Sequence, residues 1–313
     1  DWAMRQEGWH YEFTEAGELT RSGVVYSEMK GDYASVETQL NRRMFRMLFG
    51  DTCYGFESGG HPEHIAELTY EKYKSCHEKF YHPSNSRIFL DGDMDIDAVL
   101  GKIEEVLSPY DYLEVDSDIP YQSPVSPDSV TAYYPISDAD GAENKGMLSI
   151  GWVYGNFDEQ EKLLAAAALS KLLCGSNAAP LTKALLDKKL CEDVYFQQLD
   201  GIQQLMAILA VHNADVNRID EIESVVRETL TKEADNGLDR ERLHNILTRM
   251  EYDDRERDFA GFPIGLVYAM SAMDSWLYGG DPAQNLRATE VFASLRQRLG
   301  TGWYERLLKE SIL

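Results

Sequence analysis

The sequence predicts an α+β protein of two layered domains, each with a largely antiparallel sheet and helices packed on one side. Three observations carry that expectation. The 313 residues are 43% hydrophobic and 27% charged, which is ordinary for globular protein and enough for two substantial cores. Residues 108–128 set Pro109, Pro120, Pro124 and Pro127 among acidic and serine residues, a composition that blocks regular structure. Beyond that stretch, two strand-like runs follow one another before the helical runs begin, and consecutive strands with segregated helices point away from a doubly wound sheet. The expected division is residues 1–108, a linker at 109–128, and 129–313.

Taken in order, residues 9–13 alternate like a short strand, and a turn around Leu19 to Arg21 follows Gly17. A helical period then begins at Gly23. Val24, Val25, Glu28 and Met29 fall on one face of a 3.6-residue helix, which sets the Glu28 carboxylate toward the core side. A second helix is predicted over 36–49, with Leu40, Met44, Phe45 and Leu48 as its buried stripe. Asn41, Arg42, Arg43 and Arg46 then form a solvated face. Thr69 N-caps a third helix that ends before Pro83, and His82 supports the turn into a strand at 86–90. Residues 95–107 form a helix that is apolar at Ile96, Val99, Leu100, Ile103, Val106 and Leu107. After the linker come strands at 129–136 and 147–154, helices at 159–174 and 180–190, and strands at 193–199 and 204–212. Further helices start near 218, 239, 263 and 288. Within 262–278, Met270, Met273 and Trp276 read as a core stripe, the alternative being the lining of a peptide chamber.

Charge and motifs exclude several function classes. With 30 basic against 54 acidic residues the formal charge is −24, the wrong sign for a phosphate-backbone partner. No apolar run reaches the roughly 18 residues that cross a bilayer, so neither nucleic acid nor membrane is an expected partner. Cys53, Cys76, Cys174 and Cys191 form no C-x-x-C pair and read as free thiols of a soluble protein in a reducing compartment, such as a bacterial cytoplasm or an organelle matrix. Cys174 reads as a small buried hydrophobe. Gly59-Gly60 and Gly279-Gly280 lack the context of phosphate-binding loops, and no G-x-S-x-G elbow is present. His61-Pro62-Glu63-His64 is one residue too short for H-x-x-E-H, because two zinc-binding histidines on one helix need i, i+4 spacing. His61 is read instead as an N-cap neighbour and His64 as a first-turn surface residue.

One carboxylate in an otherwise apolar helical turn is either a surface group at the edge of the face or a group held by a strong partner. The residues around Glu28 leave both readings open. The surrounding motifs add a resemblance. Gly23-Val24-Val25-Tyr26-Ser27-Glu28-Met29-Lys30-Gly31, Ser58-Gly59-Gly60-His61-Pro62, Leu68-Thr69-Tyr70-Glu71 and Tyr81-His82-Pro83-Ser84-Asn85 follow one another in an order and spacing that resemble the pitrilysin-type zinc peptidases, in particular the presequence-protease branch. Farther on, Leu172-Leu173-Cys174-Gly175 and Ala179-Pro180-Leu181-Thr182-Lys183-Ala184-Leu185 resemble the helix, glycine loop and helix of the companion domain in that superfamily.

That resemblance implies a zinc metalloendopeptidase that degrades basic targeting peptides and other short unstructured peptides, with Glu28 as the third zinc ligand. It also implies that the two zinc-binding histidines and the general base lie in an H-x-x-E-H helix upstream, which this sequence does not contain. The expectation is therefore an internal piece of a longer protein: the C-terminal part of an incomplete zinc-bearing domain, then a companion domain without metal ligands. Such a piece should bind zinc weakly if at all and cleave nothing alone. Its partners would be peptides, the remaining segments of the same polypeptide, and further copies of itself through exposed apolar surface. A non-catalytic scaffold or peptide-binding protein of the same fold is the alternative.

Overall fold

The computed structural model describes residues 2–137, 141, 143–257 and 261–313. The chain divides into two compact units, Asp1–Pro120 and Tyr121–Leu313. In the first unit a short helical turn, Met4–Gly8, precedes an antiparallel hairpin of β1 (His10–Phe13) and β2 (Leu19–Ser22), registered Tyr11 to Arg21 and Phe13 to Leu19. Leu19 to Arg21 is therefore strand rather than the predicted turn. Thr14 and Glu18 close the hairpin, the Thr14 oxygen accepting from Gly17 N at 2.8 Å. Helices α1 (Val24–Asp32), α2 (Val36–Leu48), α3 (Pro62–Ile65), α4 (Tyr70–Phe80) and α5 (Ile96–Leu107) follow.

Local chemistry sets most of these boundaries. Ser35, His61, Thr69 and Asp95 accept from the backbone N–H groups of Thr38, Glu63, Lys72 and Ala98 at the starts of α2, α3, α4 and α5, each satisfying a donor that the first helical turn leaves orphaned. His61 therefore is an N-cap, and His64 is exposed beside Glu67. The predicted strand at 86–90 forms no ladder, nor does the one at 129–136. A strand needs a neighbour to take its N–H and C=O groups, and among the described residues neither segment has one. His82 Nδ1 instead accepts from Ser84 N at 3.2 Å. Two further bonds, Leu113 N to Ser84 Oγ and Ser117 Oγ to Asn85 Oδ1, hold the proline-bearing stretch against that turn.

The second unit contains the main core. Strands β3 (Gly146–Asn156), β4 (Asp193–Leu199) and β5 (Gln204–Ala214) make an antiparallel sheet in the order β3-β5-β4. Helices α6 (Gln160–Cys174) and α7 (Pro180–Asp187) come before β4, and α8 (Ile219–Asn236), α9 (Arg240–Glu256), α10 (Ile264–Trp276), α11 (Ala288–Gln297) and α12 (Trp303–Ser311) after β5. Period-2 alternation turns Leu205, Ala207, Leu209 and Val211 of β5 to the helices, where Leu169, Leu173, Leu185, Ile222 and Leu247 are fully buried with them. Each such leucine contributes roughly 1.5–3 kcal/mol on leaving water. Helix α6 is apolar nearly all round, as a helix in the middle of a core must be. Its one buried hydroxyl, Ser170, is satisfied by Ala166 O and by Gln198 of β4. Tyr304 is buried with its hydroxyl donating to Leu295 O.

Helix α10 departs from expectation. Only Ala272 and Ser275 are buried, whereas Met270 is 61% and Leu277 57% exposed. The Met270 stripe is not core, because the helix docks through its small residues: Ser275 Oγ donates to Asp281 O at 2.6 Å, and Tyr278 Oη donates to Gly201 O at 3.0 Å. No described helix is long and apolar enough to cross a membrane.

Candidate functional site

Glu28 sits in the middle of α1, and the entry to that helix depends on Gly23. Its φ of 135° lies in the region that favours glycine, and a Cβ there would stand 2.5 Å from the Gly8 carbonyl oxygen and 2.7 Å from Trp9 Cα. The chain can pass from β2 into α1 against the Met4–Gly8 turn only without a side chain at this position. A second glycine packs against the same helix, since a Cβ on Gly59 would displace the flexible Met29 thioether. The Ser58-Gly59-Gly60 loop thus packs its bare backbone on the residue next to Glu28.

Charge fixes the C-terminal end of α1. Arg42 of α2 pairs with Asp32 and lies 3.7 Å from Glu57 at the start of the glycine loop. Its guanidinium covers the Tyr33 ring at 3.9 Å, and Tyr33 meets His61 edge-on at 4.5 Å. Asp32 also accepts from Thr38 Oγ1 at 3.1 Å. One arginine therefore ties α1, α2 and the glycine loop together. It is not on the solvated face that the periodicity predicts, because its side chain is only 18% exposed. Burial pushes the Tyr33 hydroxyl up to about 12, helped by Glu57. That hydroxyl is buried, and its interaction with Glu57 falls short of full hydrogen-bond geometry. Burial acts to raise the Glu57 carboxyl as well, but Tyr33, the backbone and Arg42 together outweigh it and hold the carboxyl below its ordinary range.

The predicted core-side placement of Glu28 is not what the structure shows. Glu28 is exposed, and α1 has no buried residue. The helix touches the Met4–Gly8 turn, β2 and α3 through its flanks, which leaves Val24 half exposed and the carboxylate in solvent. A catalytic zinc takes three protein ligands. Among the described residues no group of three or more histidine, cysteine, aspartate or glutamate side chains is placed to hold a metal. The described residues do not by themselves make a zinc site.

The cysteines match free thiols rather than a framework. Cys53 and Cys76 are exposed, Cys174 is partly covered and Cys191 is buried. Burial pushes Cys174 up to about 12, against a smaller opposing effect of Thr182, and Cys191 up to about 11, so neither is a thiolate at neutral pH. In the second unit Glu161 is bound by both arms of the Arg298 guanidinium and by Ser294. Glu251 is bound by Arg255 and Arg296. These are interhelical ties rather than reactive carboxylates. Sequence reasoning missed the grouping of Tyr33, Arg42 and Glu57, since its only local signal is an arginine nine residues after a tyrosine.

Comparison with known proteins agrees with this architecture. The family model described as the peptidase M16 inactive domain matches residues 67–250. Protein HypA of Clostridium perfringens is 37% identical over 98% of this chain and 32% of its own length. Presequence protease 1, chloroplastic/mitochondrial, of Arabidopsis thaliana is 32% identical over 95% of this chain and 28% of its own length. The chain thus spans about a third of the length of these relatives. A protease from Helicobacter pylori superposes with a TM-score of 0.63 at 17% identity, covering 93% of this chain and 68% of that one. The peptidase M16 inactive domain from Pseudomonas fluorescens gives 0.60 at 15%, covering 92% and 66%. Both likenesses concern the fold. With a family model over more than half of its residues, the chain belongs to the peptidase M16 inactive-domain family, in the presequence-protease branch of the pitrilysin-type superfamily.

Proposed function

We propose that this chain is the portion of a zinc-dependent endopeptidase of short, unstructured peptides that joins the end of the metal-bearing domain, residues 1–108, to a companion domain, 129–313, without metal ligands. In that reading Glu28 is one metal ligand, and the other ligands and the general base come from polypeptide outside this sequence. The observation that supports it is the placement of Glu28: a carboxylate with no partner among the described residues sits on a helix whose two ends are set by Gly23 and Arg42. A backbone held this firmly, presenting an unpaired acid to solvent, suits a ligand that is completed by another segment. The chain alone would bind zinc weakly and cleave nothing.

The test is Glu28→Gln in the complete polypeptide, followed by peptide cleavage and bound zinc. Loss of zinc-dependent cleavage is the expected result, and full retained activity removes Glu28 from the site. The second reading, a non-catalytic scaffold or peptide-binding protein, draws on the family description as an inactive domain. It predicts peptide binding by the complete polypeptide with no cleavage and no stoichiometric zinc.

A further inference from the structure

The first turns of α9 and the end of α11 form an open cleft that the peptidase reading does not use. It encloses about 560 Å³ and is lined by Arg240, Glu241, His244, Arg296 and Leu299. Arg240 and His244 lie one helical turn apart, and the same face continues through Leu247 to Glu251. Glu251 and Asp254 are the acids farther along that face, and Glu251 is bound by Arg255 and Arg296. Arg240 makes no ion pair or hydrogen bond among the described residues, so its guanidinium stays available to a ligand although Glu241 shares the cleft.

The loop after α11 leaves room for that guanidinium. Gly300 has φ 75°, and a Cβ there would stand 3.2 Å from Arg240 Nη1 and 3.4 Å from Cζ. A side chain at this position would crowd the arginine. On a chain of net charge −24 the overall field repels anions, so only a local arrangement of donors can retain one. The free guanidinium of Arg240, the Glu251-bound guanidinium of Arg296 and the His244 imidazole around an open cleft supply such donors.

We propose that this cleft binds a compact oxyanion, a phosphate or a carboxylate, with Arg240 and Arg296 as the guanidinium donors and His244 beside them. The site is independent of the peptidase reading. The experiment is calorimetric titration of the full chain at low ionic strength with inorganic phosphate, and in a separate arm with acetate. Saturable one-site uptake is expected, weakened roughly tenfold by Arg240→Gln and roughly threefold by His244→Asn. Arg46→Gln, an arginine of the first unit, should leave it unchanged. Arg296 also holds Glu251 and is left intact, while Gly300→Ala serves as a second variant that should weaken uptake with every donor retained. Tighter saturation by acetate than by phosphate assigns the site to carboxylates, and the reverse to phosphates. No saturable uptake of either anion, or uptake by Arg240→Gln equal to that of the wild type in a folded variant, overturns the site.

Discussion

Replacing Arg42 by methionine should loosen the junction of α1, α2 and the glycine loop while keeping most of the apolar stem packed. The structure sets the size of the effect. The guanidinium stacks on Tyr33 at 3.9 Å, worth about 1 kcal/mol in a partly covered setting. It faces Glu57 at 3.7 Å where both side chains are at most a quarter exposed, an ion pair worth about another 1 kcal/mol. The contact with the 42% exposed Asp32 adds only about 0.5 kcal/mol, because solvent screens it. The loss should therefore be about 2–3 kcal/mol, confined to the neighbourhood. With two units in the chain a single unfolding midpoint would blur such a local change, so the assay is amide hydrogen exchange read by segment. Exchange in Val24–Asp32 and in the 57–61 loop should accelerate by roughly 30- to 150-fold, with Ile96–Leu107 unchanged. An acceleration below about threefold, or an equal one in α5, would refute the claim that Arg42 is the tie.

Two further outcomes follow from backbone and charge. Gly23→Ala places a methyl 2.5 Å from the Gly8 oxygen at a φ of 135°, so α1 should detach from the Met4–Gly8 turn at a cost of about 3 kcal/mol or more; proteolysis between β2 and α1 at the wild-type rate would contradict this. Asp274 is raised to about 6 by burial and then by Asp200. An acid whose pKa is higher folded than unfolded binds its proton more tightly in the native state, so stability should fall as pH rises from about 4 through 6. Asp274→Asn should remove that fall and stabilise the second unit at pH 7 by about 1–2 kcal/mol after allowing for solvent screening. Thermal melts at pH 4.5 and 7 check it, and an unchanged pH dependence in the variant would count against the Asp200–Asp274 repulsion.

What was legible in the sequence followed local chemistry. The cap at Thr69 and the glycine after α6 are read from neighbours in the chain, and α4, α5, α6, β4 and β5 fall within a residue or two of the expected positions. Strands at 86–90 and 129–136 did not form, because a strand's existence depends on a distant partner that β-propensity does not specify. The stripe through Met270 was apolar in composition, yet α10 buries Ala272 and Ser275 instead, and the contact that anchors its end, Tyr278 to Gly201 O, joins residues far apart in sequence. The Arg42 tie was likewise unreadable, since Glu57 and Tyr33 meet the arginine only in the folded unit.

The exposure of Glu28 separates two kinds of importance that the sequence merges. A buried, paired carboxylate would be needed for folding as well as for any ligand, and its removal would confuse the two. Here the carboxylate is in solvent with no partner among the described residues, while the helix beneath it is held by Gly23, Met29 on Gly59, and Arg42. Glu28→Gln should then leave the stability of the chain within about 0.5 kcal/mol, and hydrogen exchange across α1 should match the wild type. A loss of activity in the complete polypeptide would in that case report on chemistry at the carboxylate. A destabilised α1 would instead show that Glu28 serves the fold, and the metal-ligand reading would lose its support.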